Sequence, residues 1–316
     1  MPGPVTWPSS FWRIRGRSVP LARPLVFGIL NVTPDSFSDG GRFASVDQAL
    51  DQARRLISEG ADGIDVGGES TRPQSAAPVS REEELRRVVP VLEVLRSEFP
   101  AVILSIDTSK ADVARTAVDL GADVINDVSG FRIDPRIGEI AASTGAGVVV
   151  MHSRGGVSDM GTYQHAVYGD DVVGEVVREL RASLDIAVGC GVDRHSIVLD
   201  PGIGFAKRSE HSLVVLAELH RIRSLGFPVM VGVSRKRFIG ELSGVDRPSD
   251  RVAGTVGANV AALMRGASLF RVHDMAANRQ ALDVAWAIVR AGESAGPSRS
   301  AALPDSRFPI PDLGGS

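Results

Sequence analysis

The chain contains eight short apolar runs, and each run ends abruptly at a polar or ionisable residue. Seven of them precede a stretch with helical periodicity. The runs are Leu25 to Leu30, Gly63 to Val66, Val102 to Ile106, Asp123 to Ile125, Gly147 to Met151, Ser196 to Leu199, Pro228 to Val233 and Leu269 to Val272, the last interrupted by Arg271. A strand buried on both faces of a parallel sheet consists of continuous apolar residues. Eight such strands with intervening helices predict a (β/α)8 TIM barrel.

The polar residues at the ends of these runs are candidates for a functional site. In a (β/α)8 barrel the loops after the carboxyl ends of the strands build the active site. The residues are Asn31, Glu69, Asp107, Asn126 with Asp127, His152, Asp200, Ser234 to Lys236, and His273 with Asp274. The alternative interpretation is that every strand must end somewhere and that these residues cap the following helices.

Length and composition fit a single barrel domain. The chain has 316 residues, and residues 25–292 are about the span that one barrel needs. Hydrophobic residues make up 43% of the chain, which is enough for a large core. The formal net charge of −3 argues against nucleic acid or an anionic membrane as the main partner, although a local basic patch could still bind a small anion.

The single cysteine and the apolar segments bear on the cellular compartment. Cys190 cannot form an intrachain disulfide, and the segment before it is typical of the end of a packed helix. No apolar run reaches the roughly 18 residues of a membrane span, and the N-terminus lacks the apolar stretch of a signal peptide. A reducing cytoplasm fits these features best.

Both ends of the chain differ in composition from the barrel. Residues 1–24 contain Trp7, Phe11 and Trp12, and residues 13–17 alternate around a glycine, which predicts a short hairpin. We expect this N-terminal extension to cover the bottom of the barrel. Residues 293–316 are rich in Gly, Ser and Pro, so this C-terminal tail is predicted to be disordered.

Two loops at the predicted upper end of the barrel are rich in turn-forming residues. The first runs from Asn31 to Gly41 and the second from Gly67 to Pro73. Long polar loops with glycine hinges often serve as lids at barrel tops. Glycines allow a backbone to approach a ligand closely, and the hydroxyls and Arg72 of the second loop supply donors. The alternative is that both loops are solvated linkers.

Five motifs, in this order, resemble those of the dihydropteroate synthase family. They are GILNVTPDSFSDGG at 28–41, GGESTRP at 67–73, LDPGIGF at 199–205, SRK at 234–236 and RVHD at 271–274. The resemblance extends from about Leu25 to Arg290. It implies a transferase of folate biosynthesis that joins 4-aminobenzoate to (7,8-dihydropterin-6-yl)methyl diphosphate and releases diphosphate.

The resemblance assigns the pterin ring to residues at strand ends. A reduced pterin has an edge with several donors, and a buried carboxylate is the complementary acceptor because charge-assisted hydrogen bonds offset its desolvation. An amide would bind the remaining ring edge, a methionine would pack on the ring face, and a lysine would reach a ring heteroatom. These residues are Asp107, Asn126, Met151, Asp200 and Lys236.

Several neighbouring residues also have a structural interpretation. Asp107 could be an N-cap of the helix that starts near Ser109. Asp127 is more readily structural than Asn126. The histidines other than His273 show no zinc spacing, and we interpret them as surface or core residues, with His152 the least certain.

The leaving group accounts for the cationic residues. Diphosphate departs as a polyanion, so groups that stabilise charge on the bridging oxygen speed the cleavage. Barrels often bind phosphates at the loops after strands seven and eight, which here carry Lys236, Arg271 and His273. The resemblance adds Thr71 to the pterin diphosphate residues and Asn31 as a ligand of Mg2+. We therefore expect Mg2+ as cofactor and a dissociative displacement of diphosphate.

The 4-aminobenzoate seat is predicted to form from the two loops and nearby residues. These are Phe37, Ser38, Thr71, Arg72, Pro73, Phe205 and Arg237. Many family members have serine at the position of Arg237, which here either contacts the carboxylate or points into solvent. The expected catalytic residues are Lys236, Asp39, Arg72 and Asp107. An aryl amine is neutral at pH 7, so no strong base is needed beside it.

Two alternative functions remain open at this level. A pterin-binding methyltransferase module would share the contacts of Asp107 and Asn126, but it has no reason to carry the two long loops or the Arg271 and His273 anion site. A non-catalytic paralogue would bind pterin and serve a partner protein. The resemblance further implies sulfonamides as competing ligands and a homodimer through helices in the C-terminal third of the chain.

Overall fold

The computed structural model describes residues 11–33, 41–70 and 79–294. Strands β1 (Phe11–Ile14) and β2 (Arg17–Pro20) form an antiparallel hairpin. A separate eight-stranded parallel sheet follows, in the order β8-β7-β6-β5-β4-β3-β10-β9. Its strands are β3 (Leu25–Asn31), β4 (Gly63–Gly67), β5 (Ile103–Asp107), β6 (Val124–Asp127), β7 (Gly147–Met151), β8 (Ile197–Asp200), β9 (Met230–Val231) and β10 (Leu269–Val272).

Helices connect successive strands. They are α1 (Gly41–Ser58), α2 (Arg81–Glu98), α3 (Ala111–Asp119), α4 (Arg136–Thr144), α5 (Val172–Gly189), α6 (Ser209–Ala217), α7 (Leu219–Arg223), α8 (Arg237–Ser243), α9 (Val252–Leu263) and α10 (Met275–Ser294). Cys190 caps the end of α5, as the sequence predicted. None of the helices in the described ranges is long and apolar enough to cross a membrane.

The two edge strands of the sheet meet and close it into a barrel. Leu199 of β8 forms a parallel bridge with Val229, just before β9, and its backbone N–H donates to Pro228 O at 2.9 Å. The predicted TIM barrel is therefore confirmed. Strand β9 is shorter than the predicted Pro228 to Val233 run, and the N–H groups of Ser268 and Leu269 both donate to Val229 O there.

The interior of the barrel is apolar at the bottom and polar at the top. Side chains two residues apart on a strand point the same way, so each strand contributes one lower and one upper residue. On β5, for example, Ile103 packs in the lower apolar cluster, and Asp107 lies at the end of the same strand. On β10, Leu269 belongs to the same cluster and Arg271 lies above it. On these two strands the charged side chains thus lie above the apolar cluster, toward the carboxyl ends.

The N-terminal hairpin covers the bottom of the barrel, as the sequence predicted. Trp12 and Ile14 are fully buried in the lower apolar cluster. Trp12 Nε1 donates to Ser196 O at 2.8 Å. A Cβ atom on Gly147 would lie 2.8 Å from the Trp12 ring, so the absence of a side chain there makes room for the indole. The predicted disorder of the tail concerns residues outside the described ranges.

We predict that Trp12→Ala lowers the free energy of unfolding by about 3 to 5 kcal/mol, because it leaves a cavity in the closely packed lower cluster and removes a buried hydrogen bond. Urea denaturation followed by circular dichroism measures this loss. The ligand affinities of the folded fraction should stay unchanged, since the polar layer lies at the other end of the barrel. A loss below about 1 kcal/mol would mean that the hairpin does not contribute to the core.

Candidate active site at the carboxyl ends of the barrel strands

Four of the predicted pterin residues lie on adjacent strands and converge at the upper end. The strand register aligns Asp107 with Asn126 across β5 and β6, and Met151 with Asp200 across β7 and β8. Asn126, Met151 and Asp200 are almost completely buried. This register brings the four side chains to the same end of the barrel, where the sequence predicted that they lie together.

A partly buried arginine bridges two carboxylates in this layer. Arg271 Nη2 donates to Asp107 Oδ2 at 2.7 Å, and Arg271 Nε donates to Asp65 Oδ2. The same Asp65 oxygen accepts from Asn126 Nδ2 at 3.0 Å. One carboxylate therefore orients both the guanidinium and the amide, which leaves Asn126 Oδ1 available as an acceptor toward a ligand.

Sequence reasoning missed Asp65. It is 2% exposed and lies inside the second apolar run. The candidate residues predicted from the sequence were those at which the runs end. A carboxylate within an otherwise apolar strand was the available signal, because a buried charge needs a partner and such a residue faces the barrel interior.

Asp200 presents one carboxylate oxygen to the interior. Its Oδ1 accepts from Gly202 N at 2.7 Å, whereas Oδ2 accepts no hydrogen bond within the described part of the chain. A Cβ atom on Gly232 would lie 3.9 Å from that Oδ2, so the glycine leaves space around it. Burial raises the pKa of Asp200, and the hydrogen bond from Gly202 and the positive charges of Lys236, Lys207 and Arg271 oppose the rise.

The pKa values of Lys236 and Asp107 are both shifted toward neutrality. Burial lowers the pKa of Lys236 to about 7, against the attraction of Asp200. Burial also raises the pKa of Asp107 to about 7, with Arg271 opposing and Asp65 adding to the rise. Both shifts have the same cause, because a low-dielectric interior disfavours the charged form of either group.

Two side chains form an apolar wall beside these charges. Met151 packs with Val128 and Met160, and Phe205 packs against this group. Lys236 Nζ lies 4.1 Å from the centroid of the Phe205 ring and donates to Ile203 O. The structure thus brings together Met151, predicted for the pterin face, and Phe205, predicted for the benzoate seat.

The two predicted anion motifs are tied to each other. Arg235 Nε donates to Asp274 Oδ2 at 2.9 Å. The backbone N–H of His273 donates to Ser234 Oγ at 3.1 Å, and its Nδ1 lies 3.0 Å from the same hydroxyl. Since Arg235 is occupied in this way, Lys236 and Arg271 are the cations of these motifs that face the buried carboxylates.

Asp127 is structural, as predicted. Its Oδ1 accepts from Ser129 N at 2.8 Å and from Ser129 Oγ at 2.7 Å, and its Oδ2 accepts from Phe131 N at 2.7 Å. These bonds fold the loop after β6, in which Phe131 has a φ of 67°.

His152 is part of a buried network that sequence reasoning did not anticipate. Its Nε2 lies 3.0 Å from Glu179 Oε2, and its Nδ1 lies 2.7 Å from Nζ of Lys207. Lys207 is 1% exposed. His152, whose interpretation from the sequence was the least certain of the histidines, is thus a core residue with two polar partners.

The predicted loop residues Phe37, Ser38, Asp39, Thr71, Arg72 and Pro73 lie outside the described residues, whereas the ends of the second loop are described. Glu69 Oε1 accepts from Val79 N at 2.7 Å, which joins the two ends. Lys110 Nζ binds Glu69 at 2.6 Å and the buried Glu84 at 2.5 Å. The contacts of Glu69 thus hold the two ends of this loop close together.

Asn31 is the residue predicted for Mg2+. A Cβ atom on Gly67 would lie 3.6 Å from Asn31 Oδ1 and 3.6 Å from Asp107 Cβ, so the amide oxygen borders the carboxylate layer. Within the described residues there is no group of three His, Cys, Asp or Glu side chains that could hold a metal ion. An oxygen donor at this position suits a Mg2+ ion that takes most of its ligands from phosphates and water.

Arg237 lies at the start of α8 and is exposed. Its guanidinium stacks on the Tyr163 ring, 4.6 Å from the centroid. Its contact with the benzoate carboxylate stays a prediction.

Residues 27–273 match the family of pterin-binding enzymes. The chain belongs to this family, and within it to the dihydropteroate synthases. A dihydropteroate synthase of Synechocystis sp. is 44% identical over 268 residues, which is 85% of this chain and 91% of that protein. A Xanthomonas albilineans dihydropteroate synthase solved with 4-aminobenzoic acid is 47% identical, with a TM-score of 0.81, covering 89% of this chain and 99% of that one. A Yersinia pestis dihydropteroate synthase in a sulfonamide drug complex is 43% identical, with a TM-score of 0.80, covering 90% and 100% respectively.

We predict that Asp65→Asn weakens binding of both free diphosphate and a pterin without phosphates. Loss of one side of a buried charged pair costs about 2 to 5 kcal/mol, so each affinity should fall roughly 30-fold or more. Isothermal calorimetry measures both. If only stability falls and both affinities stay within about threefold of the wild type, Asp65 does not orient Arg271 and Asn126.

Proposed function

We propose that the protein condenses 4-aminobenzoate with (7,8-dihydropterin-6-yl)methyl diphosphate to give 7,8-dihydropteroate and diphosphate. The observation that carries this proposal is the open oxygen of the buried Asp200, next to Lys236 and an apolar wall of Met151 and Phe205. Such a pocket fits a flat heterocycle with donors on one edge. Membership of the dihydropteroate synthase family supports the same activity.

The strand ends would recognise the pterin without moving. Asp200 accepts from the donor edge of the ring, and Asn126, oriented by Asp65, accepts on another edge. Met151 packs on the ring face. These groups lie on neighbouring strands of a closed barrel, so their positions are fixed before the ligand arrives.

The reaction exchanges one bond at the pterin methylene. The carbon–oxygen bond breaks, and its electron pair leaves with diphosphate. The amine nitrogen then donates its lone pair to the same carbon and loses a proton. Arg271 and His273 bind the departing anion, while Asp107 stabilises positive charge that spreads over the ring. Lys236, with a pKa of about 7, is able to exchange the released proton.

A Mg2+ ion would be held at Asn31 together with diphosphate oxygens. When bound, it neutralises charge on the leaving group. The benzoate would occupy the space between Phe205 and the loops that carry Phe37, Ser38, Thr71, Arg72 and Pro73, with Asp39 and Arg72 acting beside the reacting amine. Arg237 would offer its charge to the benzoate carboxylate, and sulfonamides would compete for this seat.

We predict that the purified protein forms 7,8-dihydropteroate and diphosphate in the presence of Mg2+, and that turnover falls sharply when a chelator removes the ion. Asp200→Ala should lower affinity for a non-reactive pterin roughly 30-fold or more, for the loss of a charged, buried acceptor. Chromatography of the product and calorimetry measure the two effects.

Two outcomes would contradict the proposal. Methyl transfer from methyltetrahydrofolate to a corrinoid protein, without dihydropteroate formation, would support the methyltransferase alternative. Pterin binding without any turnover would support a non-catalytic paralogue. A change under about threefold in Asp200→Ala would remove Asp200 from the pterin site.

We also propose that the protein works in the cytoplasm as a homodimer through α6, α8 and α9. An apolar groove of about 380 Å³ lies between these helices and is lined by Leu216, Phe238 and Leu242. Leu242 is 63% exposed, and Gly257 on α9 has open space around it, which would let a second copy approach closely. The lining of the groove is mainly apolar, which favours burial against another protein surface.

We predict that Leu242→Asp shifts the protein toward monomers in sedimentation velocity, because it places a charge in the proposed contact. Ile288→Asp is the matched control, since Ile288 is similarly exposed, at 65%, but lies on α10 outside the groove. Equal behaviour of the two variants would exclude this face as the dimer contact.

A further inference from the structure

Lys207, in the segment after β8, is a fully buried charged side chain outside the proposed contacts with substrate. Its Nζ lies 2.7 Å from His152 Nδ1 and donates to Gly202 O at 3.1 Å and to Phe205 O at 3.2 Å. The segment between Asp200 and Lys207 thus curls around the ammonium group. Nothing in the proposed chemistry uses this residue.

The network assigns the protonation states of its members. The Glu179 carboxylate is ionised, because hydrogen bonds from His152 and Arg154 lower its pKa to about 2. His152 is neutral, since burial lowers its pKa to about 3. Its Nε2 faces Glu179 and must carry the proton, so Nδ1 is an acceptor. Lys207 therefore faces three acceptors, and only an ammonium has three N–H donors to satisfy them. Burial lowers the pKa of Lys207 well below its usual value, and the three acceptors oppose this shift because their hydrogen bonds favour the charged form.

This positive charge lies behind the pterin carboxylate. Its attraction lowers the pKa of Asp200, against the effect of burial. The other charges that face Asp200 are Lys236 and Arg271, and both of these also face the ligand. Lys207 is enclosed by protein, so a ligand cannot draw it away from Asp200.

The same ammonium shapes the segment that bears Phe205. Gly202, Gly204 and Ala206 all have positive φ values, and Ala206, at 44°, is unusual because it is not glycine. A Cβ atom on Gly202 would lie 1.8 Å from His152 O. Residues in such conformations persist only where neighbouring contacts fix them, and the bonds of Lys207 to Gly202 O and Phe205 O supply such contacts.

We propose that Lys207 is a positioning residue of the pterin site, whose ammonium charge acts on Asp200 from the protein side and whose hydrogen bonds fix the Gly202 to Phe205 segment. The negative charge that balances Lys207 is that of Glu179 on α5, and His152 lies between the two groups and is hydrogen-bonded to both. The inference rests on the proposed pterin-binding function and deepens it, because it names a group that acts through Asp200 without touching the substrate.

The test compares the pH dependence of pterin binding in three proteins. Calorimetry with 6-hydroxymethylpterin is run from pH 5 to pH 9 on the wild type, Lys207→Met and Lys207→Gln. Met removes both charge and donors, whereas Gln keeps donors for the carbonyls and removes only the charge. Trp12→Phe, which weakens the hairpin at the other end of the barrel, is the control for a general loss of stability.

We expect affinity to fall as pH drops through the pKa of Asp200, because a protonated carboxyl cannot accept from both ring donors. Without the Lys207 charge this pKa rises, so the acidic limb should move upward by about one pH unit in both Lys207 variants. The control should keep the wild-type limb. Asp107 also titrates in the site, but the charges that act on it most strongly are those of Arg271, Asp65, Glu84 and Asp127, and Lys236 faces it as well. Lys207 is not among these charges, so the share of Asp107 in the profile should not move.

An acidic limb at the wild-type pH in Lys207→Gln would overturn the inference, even if Lys207→Met fails to fold. A shift of the same size in Trp12→Phe would also overturn it. Absence of pterin binding by the wild type at every pH would instead contradict the proposed function, so the two failures are distinguishable.

Discussion

The charged layer at the top of the barrel depends on Arg271 lying between Asp65 and Asp107. A buried carboxylate without a partner is costly, and two of them on neighbouring strands would repel each other. The guanidinium resolves both problems, because its planar donors reach the two acids at once. Strand order makes this possible, since β10 pairs with β3 and β3 pairs with β4. Asn126 is oriented through the same Asp65 oxygen, so the pterin contacts depend on this pair.

The site divides into a fixed half and a loop half. The fixed half comprises strand ends and the segment after β8, where Lys207 and Lys236 each hold backbone carbonyls. The loop half starts from defined bases, such as Glu69 with Val79, and extends to residues outside the described ranges. A pterin would be recognised by the fixed half alone. The predicted benzoate seat needs both halves, so we expect it to be completed after the pterin is in place.

The sequence predicted the barrel because a strand buried on both faces leaves a distinct apolar signature. The ends of the predicted runs agree with those of the strands to within two residues, and the differences are largest at β6 and β9. The ends of the apolar runs made these polar residues candidates, and the resemblance to the dihydropteroate synthases assigned substrate roles to five of them, Asp107, Asn126, Asp200, Lys236 and Arg271. Asp65 was missed because it lies within a run, and Lys207 because its role depends on contacts with His152, 55 residues away. Such pairings arise only when loops from adjacent strands meet, which no local pattern reports.

Burial determines how the two titrating groups of the site respond to a ligand. It favours the neutral forms of Lys236 and Asp107 alike and brings both pKa values to about 7. The protein alone therefore holds these two charges weakly. In the proposed complex, ring donors of a pterin would stabilise the ionised form of Asp107, whereas an anionic diphosphate would stabilise the charged form of Lys236. A ligand with both parts would drive the two proton transfers in opposite directions, so it would complete a set of paired charges while exchanging little net proton with water.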